Sequence, residues 1–136
     1  MTEQVVVLGA QEGLAYDFDR VRIVNTFDAH RLAHLAESAG LGGAMHERLL
    51  RANLIEGETL DDHETLVRLG AEVGVDEGDA RRVLGGDEYA AAVEEDGRQA
   101  RALGATGVPF FVLDRKYGIS GAQPVEAFLQ TLHAAA

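Results

Sequence analysis

The chain has 136 residues, 46% hydrophobic and 26% charged, the size and balance of one ordinary domain able to bury a core without disulfide or metal staples. Its 23 acidic against 12 basic residues give a net charge of −11, which repels a nucleic-acid backbone or an anionic membrane and excludes both as expected partners. There is no cysteine, and hence no disulfide framework, thiolate nucleophile, zinc-finger ligation or iron–sulfur cluster within these residues.

Residues 2–14 suit a short helix stopped by Gly13, with Thr2 as its cap and Glu3 in its first turn. Within it, Val5 to Leu8 is too short for the apolar part of a signal peptide or for a membrane span, so the expected location is the cytoplasm. Tyr16, Phe18, Val21 and Ile23 sit among Asp17, Asp19, Arg20 and Arg22, a near alternation that predicts a short extended segment. Asn25-Thr26 is a capping pair ahead of an amphipathic helix whose apolar face holds Phe27, Ala29, Leu32, Ala33, Leu35, Ala36 and Ala39, stopped by Gly40. A second helix is expected from Leu41 to Ile55 and a third from Asp61 or Asp62 to Val73. Asp76 caps a fourth through Leu84, and Gly85-Gly86 breaks it.

A long helix then starts at Asp87 and runs to Leu103, with Glu94 and Arg98 at a favourable i,i+4 spacing and Gly97 costing about 1 kcal/mol against Ala. After Gly104 the period changes from helical to extended. Ala105-Thr106-Gly107-Val108-Pro109 leads into a strand over Pro109 to Leu113, Asp114 to Lys116 make a polar turn, and Tyr117 to Ser120 form a second strand. Tyr117 is expected to pack across this hairpin onto Phe111 or its neighbours. Gln123-Pro124 opens a closing helix through Ala134.

Three segments in order, Asn25-Thr26-Phe27-Asp28-Ala29-His30-Arg31-Leu32, Gly107-Val108-Pro109-Phe110-Phe111 and Ser120-Gly121-Ala122-Gln123-Pro124, resemble the FrnE-like branch of the DsbA family of thioredoxin-fold oxidoreductases. The 2-hydroxychromene-2-carboxylate isomerases are a sister branch. The resemblance implies an α/β, thioredoxin-like fold of the DsbA type, mostly α by content. Residues 1–104 would be the helical domain inserted in that fold, and 105–136 the C-terminal ββα part. Family members carry a Cys-x-x-Cys motif in a first third that nothing here matches, Met1 corresponding to a point inside the helical insertion. No catalytic residue can therefore be carried over.

What the resemblance does carry over is substrate binding. Pro109 matches the family's cis-proline, and Val108 before it offers backbone groups to an extended substrate; Thr106 and Gly107 complete the loop. Asn25, Thr26 and His30 match the motif that opens the helix facing the cleft, although a helix cap is the stronger reading of Asn25 and Thr26. His30 and His34 stand one turn apart, but with no third ligand placed beside them no metal site is expected. Asp17 and Asp19 fit the wet side of the extended segment better than paired acid–base carboxylates, and His46, His63 and His133 are expected at the surface. No glycine run has phosphate-loop spacing, and no cofactor is expected.

Three functions follow from the resemblance. The first is a portion of a protein thiol-disulfide oxidoreductase or disulfide isomerase, itself cysteine-free and redox-inactive alone. The second is a glutathione-dependent enzyme like the isomerase branch. The third is a binding module that captures an extended peptide at the Pro109 loop. Expected partners are an extended polypeptide or a glutathione-like thiol. A homodimer, or a second polypeptide, would cover the edge of the 109–113 strand, since a lone hairpin is marginal.

Overall fold

The computed structural model describes residues 2–136. The chain divides into two compact units, the second beginning at Glu94.

In the first unit, α1 is Thr2–Gln11, α2 Phe27–Ser38, α3 Gly42–Arg51, α4 His63–Glu72 and α5 Glu77–Gly85, with a π-helical turn over Ala52–Glu56 continuing α3. The apolar period of α2 makes it the centre of the bundle, and it packs against α3, α4 and α5. Leu32, Met45, Leu66, Leu69 and Val83 are fully buried there, each contributing about 1.5–3 kcal/mol by leaving water. The Asp62 carboxylate accepts from Thr65 N at 2.8 Å and the Asp76 carboxylate from Asp79 N at 2.9 Å, which fixes where α4 and α5 begin.

Two expectations need correction in this unit. Residues 14–26 form no strand: the segment turns at 18–20, with Arg20 N donating to Asp17 O at 3.1 Å. Alternation needs a partner strand to become a ladder, and here the backbone is tied to the π-turn instead, Asp17 N donating to Leu54 O at 3.0 Å and Asn53 Nδ2 to Arg22 O at 3.3 Å. The helix expected over Leu41 to Ile55 is not uniformly α. It loosens at Ala52, Glu58 N donates to Ala52 O at 2.8 Å, and Gly57 closes the turn at φ 71. A Cβ on Gly57 would lie 2.7 Å from Cβ of Arg20, so both the dihedral and the space demand glycine.

The division between the units falls inside α6, Ala90–Ala102. That helix starts three residues later than Asp87, after a turn in which Tyr89 takes φ 63 and Ala90 N donates to Asp87 O. The Tyr89 ring stacks on His34 with centroids 6.0 Å apart, packing that holds the turn. Arg98 pairs with Glu95 at 2.8 Å rather than with Glu94.

In the second unit, β1 (Phe110–Leu113) and β2 (Tyr117–Ser120) form an antiparallel pair, with Phe110 opposite Ser120 and Leu113 opposite Tyr117. Asp114 and Arg115 both take φ 53, the sign that primed hairpin turns use to match strand twist. α7, Val125–Ala135, begins directly after Pro124 and packs on both strands. Phe111 meets Phe128 of α7 edge to face at 5.0 Å, while Tyr117 stands opposite Leu113 and carries the Lys116 ammonium 5.4 Å above its ring. Among the described residues no helix is long and apolar enough to cross a membrane.

Candidate functional site

The sequence candidates fall into two groups, one in each unit. In the second unit, Thr106, Gly107, Val108 and Pro109 form an exposed loop before β1, and the Val108–Pro109 peptide bond is cis. Val108 is 95% exposed. Pro109 O accepts from Gly121 N at 2.8 Å, which makes Pro109 and Gly121 a hydrogen-bonded antiparallel pair. The alternation of such a ladder then turns the backbone groups of Phe111 and Leu113 toward β2 and those of Phe110 and Val112 toward the opposite edge. The sheet has two strands, so that edge has no partner within it. Phe111, Val112, Val125, Leu129 and Leu132 leave apolar surface exposed on the same unit.

In the first unit, Asn25, Thr26 and His30 open α2, and all three are exposed. Asn25 Oδ1 accepts from Phe27 N at 2.9 Å, so Asn25 caps the helix, whereas the Thr26 side chain makes no capping bond. Thr26 and His30 instead line a cleft of about 190 Å³ together with His46 and Asn53, walled by Ala29, Leu49, Leu50, Leu54 and Leu60. Asn25 lies outside that cleft, in a shallow hollow with Phe27, Asp28 and Asp61. His34 packs on Tyr89 and does not join His30.

Below the cleft's helix a buried cation holds the unit together. Arg31 is 4% exposed. Its guanidinium donates to Glu88 O at 2.9 Å, Gly86 O at 2.6 Å, Val83 O, and Asp28 Oδ1 at 2.8 Å. It thereby takes up carbonyls at and beyond the end of α5, where Val83 O also accepts from Gly86 N at 3.2 Å. Asp28 Oδ2 meets His63 Nε2 at 2.7 Å, so His63 is tied to α2 rather than simply solvated. Burial alone would raise the Asp28 carboxyl, but hydrogen bonds from His63 and Arg31, with the Arg31 charge, hold it below its ordinary value of 3.8. A second ionic chain braces the π-turn, Arg48 reaching Glu56 at 2.9 Å and Glu72 at 2.6 Å.

The family model for the DSBA-like thioredoxin domain matches residues 1–133. The chain belongs to this family. No curated protein matches it. As a DSBA-like thioredoxin domain it has the DsbA-type α/β fold, represented by helices and one small antiparallel sheet. It is a domain of an oxidoreductase family without a thiol of its own. Among its described residues no group of three or more His, Asp or Glu side chains is placed to hold a metal ion.

Two features of this DSBA-like thioredoxin domain escaped the sequence. His46 and Asn53 reach the cleft from α3 and the π-turn, and no spacing links them to His30. Arg31 did carry a signal: it is the one charged residue between Ala29 and Ala36 on a helix whose apolar positions flank it on both sides.

Proposed function

We propose that this DSBA-like thioredoxin domain is the substrate-holding portion of a protein thiol-disulfide oxidoreductase or disulfide isomerase, and that it is redox-inactive alone. Thiol-disulfide exchange requires a thiolate to attack a disulfide sulfur and a second thiol to resolve the mixed disulfide. This chain provides neither. Its contribution is a surface that binds the substrate chain in extended form.

The observation that carries the proposal is the exposed Val108 backbone running directly into a strand whose outward Phe110 and Val112 groups have no partner in the sheet. An extended polypeptide laid along that edge gains main-chain hydrogen bonds that do not depend on its sequence, the recognition mode of strand addition. The exposed apolar side chains Phe111 and Val112 add contact area beside the backbone. A reader of this kind suits unfolded or partly folded proteins.

The test is binding of a carboxymethylated, permanently unfolded polypeptide, followed by fluorescence anisotropy. The intact chain is expected to bind it. Val112→Pro, which removes one outward N–H, is expected to weaken binding about tenfold. Val112→Ala keeps that N–H and serves as the control. Equal binding by Val112→Pro and Val112→Ala would refute the proposal. Turnover in an insulin-reduction assay by the chain alone would refute its redox-inactive half.

A further inference from the structure

The cleft in the first unit is unlike the rest of this molecule. The chain carries 23 acidic residues, yet none of the side chains lining the cleft is acidic. Its polar groups are Thr26, His30, His46 and Asn53, each able to present a hydrogen-bond donor. An imidazole offers an N–H in either tautomer, and among the described residues neither His30 nor His46 has its ring engaged by a hydrogen bond or an ion pair. Asn53 Nδ2 gives one hydrogen to Arg22 O at 3.3 Å and has a second to give.

The apolar side of the cleft is aliphatic. Leucines of α3 and the π-turn, with Leu60 at the far side, form the wall, and no Phe, Tyr or Trp lines it. The cleft's volume is about 190 Å³, room for a small ligand. The cleft is also built by an uncommon element. The π-turn over Ala52–Glu56 brings Asn53 and Leu54 to the lining, and single π-turns inserted in α-helices occur frequently at functional sites.

We propose that this cleft is a binding site for a short aliphatic monocarboxylate. The carboxylate is held by His30, His46 and the Asn53 amide, and the chain lies along Leu50 and Leu60. Charge selects the head group: an acid-free pocket of donors accepts an anion and offers an ammonium group no acceptor carboxylate. The aliphatic wall selects the tail, because a flat aromatic ring finds no ring to stack on. The cleft belongs to the first unit and the β1 edge to the second, and the assignment does not depend on the peptide-binding proposal.

The experiment is an NMR titration of the isotope-labelled full chain with hexanoate, hexylamine and benzoate, with isothermal calorimetry as the second readout. Hexanoate is expected to saturate and to shift the signals of Ala29, His30, His46 and Asn53. Hexylamine and benzoate are each expected to bind about tenfold more weakly. Leu50 is 59% exposed, so Leu50→Glu leaves the core intact while placing a carboxylate in the wall; it is expected to weaken hexanoate binding by about tenfold or more. His46→Gln, at an exposed helix position, is the second variant and is expected to weaken binding less. The proposal is overturned if hexanoate shows no saturation by about 10 mM, if the shifts fall outside the cleft, if hexylamine or benzoate binds as tightly, or if Leu50→Glu binds hexanoate as the parent does.

Discussion

Replacing Arg31 by lysine separates charge from shape at the most constrained side chain of the molecule. Lysine keeps the positive charge beside Asp28 but ends in one compact ammonium, whereas the guanidinium reaches four acceptors from three nitrogens: the carbonyls of Val83, Gly86 and Glu88, and the Asp28 carboxylate. An ammonium drawn to Asp28 gives up about two of the three carbonyl bonds, although Val83 O keeps Gly86 N at 3.2 Å. A hydrogen bond from a charged donor contributes about 1.5–3 kcal/mol net, and an orphaned buried carbonyl costs about 1–3 kcal/mol. Some of these carbonyls are only partly buried and regain water, so the expected loss is about 2–4 kcal/mol. For a unit of under a hundred residues that corresponds to roughly 10–20 °C in Tm. Urea unfolding followed by far-UV circular dichroism measures it, with an unchanged slope confirming that the denatured state is the same. A change of less than about 0.5 kcal/mol would refute the clamp and show that Arg31 acts through charge alone.

Gly57→Ala forces an L-residue to φ 71 against Arg20, and is expected to cost about 1–3 kcal/mol in the same unfolding assay, with the Asn53 and Leu54 amide signals displaced. Asp62→Ala removes the cap on α4 and is expected to lower the urea midpoint in the same assay, with Asp62→Asn, which keeps an acceptor, losing less. Asp28 and Glu72 sit below their ordinary values of 3.8 and 4.5, Glu72 chiefly through its hydrogen bond from Arg48, so both titrate at higher pH unfolded than folded. Their contribution is complete above those ordinary values and is lost as pH falls through the lowered folded ones; denaturation midpoints are therefore expected to hold from neutrality to about pH 5 and fall below about pH 4. Stability that stays flat to pH 3 would contradict the assignment. At concentrations well above those of the binding assays, sedimentation velocity is expected to reveal a dimer that Val112→Pro and the unfolded polypeptide each dissociate, because a second copy competes for the same open edge of β1.

Local chemistry made most of this chain legible. Asp62 and Asp76 are caps because a short carboxylate before a helix finds the free N–H groups of its first turn, and that logic needs no tertiary information. The apolar period of α2 and the change of grammar at Gly104 are of the same kind. The segment from Tyr16 to Ile23 misled because alternation is necessary for a half-buried strand and not sufficient; its backbone found the π-turn instead of a neighbour. The π-turn itself had no signature in ANLIE, since its braces lie outside those five residues' own pattern: Arg48 grips Glu56 from within α3, and Asp17, far away in sequence, reaches Leu54. The cleft inherits that opacity. Thr26 and His30 were found through a resemblance, while His46 and Asn53 come beside them only after α3 folds onto α2.

The central claim is that the open edge of β1 takes an extended chain, and amide hydrogen exchange at Phe110 and Val112 measures it directly. With a carboxymethylated unfolded polypeptide present, exchange at these two outward amides is expected to slow at least tenfold, while Phe111 and Leu113, already facing β2, change little. Equal exchange at Phe110 and Val112 with and without the polypeptide, at concentrations where binding is saturated, would contradict the account.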